Sequence, residues 1–124
     1  MNKPYLFITE EAPLLWVVLQ GSLYRTESHY VLHTVGKKIK EGFLAVLIDF
    51  ELVEYMNSLG ISMIMGIYKA TADVGGGTCL YSVPHDIKDI LELADVDVIV
   101  PTFKDKERAK EYMEDLLKKG DKIT

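Results

Sequence analysis

Residues Phe43 to Phe50 form an almost unbroken apolar run, broken only by Asp49 near its end. A strand with one wet face alternates apolar and polar residues. This one does not, so both of its faces must be covered. Helices on both sides of a mostly parallel sheet meet that demand. The flanking sequence supplies them. Thr26 to Glu41 carries Leu32, Val35 and Ile39 at helical spacing and stops at Gly42. Ser58 to Val74 is a second helix, closed by Gly75-Gly76-Gly77, and a strand Thr78 to Val83 follows. Pro84 opens a third helix, with Ile87, Ile90, Leu91 and Ala94 on one face. Val96 to Val100 reads as a fifth strand. Asp105 caps a last amphipathic helix bearing Ala109, Tyr112, Met113, Leu116 and Leu117. At the start, Tyr5 to Ile8 and Leu14 to Leu19 flank the turn Glu10 to Pro13, which predicts an antiparallel hairpin. The order β-β-α-β-α-β-α-β-α predicts an α/β fold, with a mixed, mostly parallel five-stranded sheet and four helices.

A chain of 124 residues with 48% hydrophobic content predicts one domain over 1–124, with its core at about 5–117 and a tail that frays after Gly120. The net charge of −5 argues against nucleic acid as a partner, because phosphate neutralisation needs clustered cations. Lys37, Lys38 and Lys40, and Lys118, Lys119 and Lys122, sit at expected helix ends, where they complement the helix dipole. The one cysteine, Cys79, falls in an apolar strand and reads as a buried structural thiol. The apolar run Leu14 to Leu19 is too short for a signal-peptide core or a membrane span, so the expectation is a cytoplasmic protein without a membrane span.

Several constellations read more simply as structure. Phosphate-cradling glycine loops lead from a strand into a helix, whereas Gly75 to Gly77 lead from a helix into a strand. His29 and His33 share a helical face but have no third ligand and no glutamate of a HExxH motif, so no metal site is expected. His85 has no evident partner. Met56-Asn57-Ser58-Leu59-Gly60 lacks the first glycine of a nucleophile elbow. Asp49, Glu51 and Glu54 lie in what reads as an acidic loop, flanked by Leu52, Val53, Tyr55 and Met56. They read as solvated or surface-binding charges. No cofactor is implied.

Ser58 stands apart. It begins a helix that is apolar nearly all round, with Leu59, Ile61, Met63, Ile64, Met65 and Ile67 broken only by Gly60, Ser62 and Gly66. Such a helix is either fully buried or offers an apolar docking face. The serine itself is open to three roles: helix cap, binding group or phosphorylation switch.

The stretch Ala45-Val46-Leu47-Ile48-Asp49, a short link, Asn57-Ser58-Leu59-Gly60 and the apolar helix from Ile61 to Val74 resembles the core signature of the STAS domain of bacterial anti-sigma factor antagonists. Gly76 to Leu80, Ile90 to Asp97 and, more weakly, Gly21 extend the resemblance over roughly residues 5–117. It departs from the family at Asn57, where Asp usually precedes the serine, at Tyr24, where an acidic residue is frequent, and at Asp95, where glycine is common. The resemblance implies a non-enzymatic protein that binds an anti-sigma factor serine kinase and is released when that kinase phosphorylates Ser58. It places Asp49, Asn57, Ser58 and the start of the helix (Leu59, Gly60, Ser62 and Met63) at the partner contact, with Glu54 beside them. Two other readings come from different classes. One is a non-phosphorylated STAS scaffold, or a small-ligand or nucleotide-binding sensor module using a crevice between Gly21, Asp49 and the Asn57–Gly60 turn. The other is an enzyme using the loop carboxylates.

Overall fold

The computed structural model describes residues 3–123, and the side chains of 3–119. The elements run β1 (Leu6–Glu11), β2 (Leu14–Leu23), α1 (Arg25–Lys40), β3 (Ala45–Met56), α2 (Ser58–Asp73), β4 (Gly77–Tyr81), α3 (His85–Leu93), α4 (Val96–Ile99), β5 (Thr102–Phe103) and α5 (Lys106–Ile123). The fold is the α/β arrangement expected, with one helix more. The tail expected to fray after Gly120 lies outside the residues whose side chains are described.

The strands lie side by side in chain order, β1 to β5. β1 is antiparallel to β2, and every later pairing is parallel. Because the parallel order never reverses, connections of one hand place their helices on one face. Strand alternation then separates two cores. Leu15, Val17, Val46, Ile48 and Leu80 face α1 to α4, where Val31, Val35, Met63, Ile64, Ile67, Ile87 and Leu91 meet them. Leu14, Trp16, Ala45, Leu47, Cys79 and Tyr81 face the other way and are covered by Ala109 and Met113 of α5. This two-sided burial is what the unbroken run at Phe43 to Phe50 demanded. Cys79 is fully buried, and burial pushes its thiol pKa up to about 12.

Two expectations are corrected. Val96 to Val100 is not a strand: Val96 to Ile99 form α4, and the fifth strand is only Thr102–Phe103. Asp95 adopts a left-handed backbone (φ 58°) and turns the chain after α3. Val96 and Val100 are both buried, and the Val100 amide donates to the Val96 carbonyl at 2.8 Å. Val98 between them is 78% exposed, so burial follows a four-residue period. The segment Asp49 to Glu54 is likewise not a loop, because β3 runs on to Met56. β2 extends with it to Leu23, and the pair accommodates two register shifts. Those shifts let Val53 and Met56 turn inward while Glu51, Leu52, Glu54 and Tyr55 stay exposed. Past Asp49 no pairing with β4 continues, so β2 and β3 project as a two-stranded ribbon.

Candidate functional site

The end of that ribbon leads directly into α2. Asn57 is its N-cap, with extended backbone, and its Oδ1 accepts the Leu59 amide at 3.0 Å. Ser58 is the first helical residue. It is exposed, and its hydroxyl makes no hydrogen bond to any described residue. Capping therefore belongs to Asn57, and the serine hydroxyl is free. Asn57→Ala is expected to cost about 1 kcal/mol of stability, and Ser58→Ala less than about 0.5 kcal/mol. Urea unfolding midpoints of the two variants check this. Equal losses would return a structural role to the serine.

Around Ser58 opens an apolar groove of about 290 Å³, lined by Tyr55, Met56, Asn57, Ile61, Ile90, Leu93 and Ala94. Three elements supply it: the tip of β3, the first turn of α2 and the last turn of α3. Leu93 is 88% exposed. Tyr55 is about half exposed, and its ring meets that of Tyr24, the N-cap of α1, at 5.9 Å. Leu52, further down β3, is also about half exposed. Large apolar side chains clustered in the open are unusual and mark interaction surfaces. The charged residues directly adjacent in sequence to the lining residues, Glu54, Asp89, Glu92 and Asp95, are all acidic and exposed.

The expected contact residues divide. Asn57, Ser58, the half-buried Leu59 and the exposed Ser62 gather at the start of α2, and Glu54 lies on the adjoining ribbon. Met63 is buried in the core, and Gly60 is buried close against the Met56 side chain. Asp49 faces the α5 side of the sheet, and its Oδ1 accepts the Glu51 amide at 2.9 Å. The crevice imagined between Gly21, Asp49 and the Asn57–Gly60 turn is therefore not built. Tyr55, Ile90 and Leu93 line the groove and Tyr24 stands beside Tyr55, though the sequence pattern assigns none of them to a site. A signal for Leu93 existed: it falls off the stripe defined by Ile87 and Leu91, so α3 cannot bury all of its large apolar residues.

Together these features define an α/β module with an open apolar groove beside a free serine. The sequence matches the STAS domain family model over residues 6–109, and the chain belongs to that family. A crystal structure of a putative anti-sigma factor antagonist from Thermotoga maritima is similar at TM-score 0.82 and 19% identity, over 88% of this chain and 94% of that one. The Bacillus cell fate determinant SpoIIAA in its phosphorylated form is similar at TM-score 0.70 and 14% identity, over 86% and 97%. A sulfate transporter family protein from Wolinella succinogenes is similar at TM-score 0.75 and 13% identity, over 89% and 92%. At these identities the likeness speaks to fold. No curated protein matches the chain by sequence. Among the described residues no helix is long and apolar enough to cross a membrane.

Proposed function

We propose that this protein is an anti-sigma factor antagonist that docks an anti-sigma factor serine kinase on the groove beside Ser58. Phosphorylation of Ser58 by that kinase releases the partner. The protein acts in the cytoplasm and performs no catalysis of its own. One observation carries the reading: a serine hydroxyl with no structural duty, at a helix N-terminus, on the rim of an exposed apolar groove. A solved relative, SpoIIAA, is known in both unphosphorylated and phosphorylated forms.

The physics of release follows from the site. A phosphate adds about −1.5 to −2 charges. The N-terminus of α2 accommodates them through its free amides and dipole, so the fold persists. The apolar groove does not accommodate them, because a docked partner must strip water from the phosphate while Glu54 adds like charge. A penalty of about 3 kcal/mol weakens binding more than a hundredfold.

The test is affinity capture from the native lysate with wild type, Ser58→Ala and Ser58→Asp, together with intact mass measurement of the wild-type protein. A kinase retained by wild type and Ser58→Ala but lost with Ser58→Asp, plus a phosphate-mass adduct mapped to Ser58, supports the switch. The same partner held equally by all three, with no adduct, would make the protein a non-phosphorylated scaffold.

A further inference from the structure

A second groove lies on the opposite face of the sheet and shares no residue with the first. We propose that it binds a small zwitterion of the amino-acid class. Val18, Asp49 and Tyr81 are register partners across β2, β3 and β4, so they form one row on the face that α5 covers lower down. Lys106 and Lys110, one helical turn apart at the start of α5, wall this row and leave a space of about 260 Å³. It lies at the carboxyl end of β4 and midway along β2 and β3.

The polar groups of this groove are of two kinds. Some are already engaged: Lys106 Nζ sits 4.7 Å from the centre of the Trp16 ring, and the Trp16 indole N–H donates to Glu11 at 3.4 Å. Three are not. Asp49 uses Oδ1 for the Glu51 amide and leaves Oδ2 without a partner among the described residues. Lys110 makes no ion pair among the described residues. Tyr81 is 97% buried by residue area, yet its hydroxyl makes no hydrogen bond to a described residue. It does not number among the sealed, unsatisfied groups, so it opens into the groove it lines. Burial, and then the nearby Asp49 carboxylate, hold the phenol pKa well above its ordinary value, so the hydroxyl stays a donor.

The Lys110 ammonium, the Asp49 carboxylate and the Tyr81 phenol around a small space call for a complementary ligand, and Lys106 and Glu11 at the rim add one further charge of each sign. An ammonium group satisfies Asp49, and a carboxylate satisfies Lys110 and the Tyr81 hydroxyl. A simple anion leaves Asp49 repelling it, and a simple cation leaves Lys110 doing the same. The edge-to-face pair of Trp16 and Tyr81, with ring centres 6.2 Å apart, gives the groove an apolar floor for a side chain. This site is independent of Ser58 and of the partner docked there.

Trp16 is the only tryptophan in the chain, so its emission reports on this groove directly. The full-length protein is titrated with each of the twenty amino acids in turn, and with acetate and methylammonium as half-ligands, following Trp16 emission and thermal unfolding. The expected result is that at least one amino acid shifts the emission saturably and raises the melting temperature, while neither half-ligand does. Asp49→Asn, which keeps the Oδ1 acceptor, and Lys110→Gln each weaken that binding tenfold or more. Ser58→Asp leaves it unchanged. Silence from all twenty amino acids overturns the proposal. So does binding that acetate reproduces and Asp49→Asn does not alter.

Discussion

Gly76→Ala is expected to destabilise the protein by about 3 kcal/mol, lowering its melting temperature by roughly 12 °C for a chain of this size. A β-carbon at Gly76 would overlap the Leu44 carbonyl oxygen and lie 2.7 Å from its carbon. That neighbour is backbone and cannot rotate away. It is also pinned, because the Leu44 carbonyl accepts the Gly77 amide at 3.0 Å, and the Gly76 amide donates to Thr71 at 2.8 Å. Yielding to the methyl group breaks the junction that feeds β4 into the sheet. Gly75→Ala makes a useful contrast. No atom stands near its β-carbon, but φ is +78°, so only the left-handed backbone penalty of about 1 kcal/mol applies. Chemical denaturation of both variants separates the two causes. A Gly76→Ala protein within 1 kcal/mol of wild type would mean that the close approach is easily relieved.

The second large effect is on binding. Leu93→Asp combined with Tyr55→Ala is expected to weaken partner docking by about 2 kcal/mol or more, roughly thirtyfold, with little change in melting temperature. Leu93 is 88% exposed at the end of α3, so it contributes little to folding. Tyr55 presents its ring beside Tyr24 at the ribbon tip, where a rigid aromatic makes a good anchor. Titration of the proposed partner against wild type and double variant measures the loss. Unchanged affinity would remove the groove from the contact and leave Ser58 without its docking surface.

How far the sequence reveals all this depends on what each residue packs against. Phe43 to Phe50 announced a strand buried on both faces, and two cores stand on its two sides. Leu32, Val35 and Ile39 likewise announced α1. Val96 to Val100 misled because a short apolar run fits either period. The decision rested on Asp95 entering the left-handed region and on Val96 and Val100 finding the same core. Asp49 to Glu54 misled because its charges resemble a loop. Their exposure comes instead from a ribbon with two register shifts, which no local pattern reveals. At the site, Asn57-Ser58 marked the helix start correctly. Which of the two would cap it was settled only by backbone geometry. Asp49 reads as a neighbour of Ser58 across a short loop, but β3 continues to Met56 and carries the serine away, while Asp49 stays on the α5 face.

The buried thiol in β4 has a practical consequence. Cys79 is fully enclosed between the sheet and α5, and its high pKa leaves almost no reactive thiolate at neutral pH. An alkylating reagent can reach it only when α5 lifts away or the central sheet opens. With a single cysteine in the chain, each alkylation event counts one such opening. The protein thus carries a natural stopwatch for its own breathing, readable by mass alone, with no label or engineered probe.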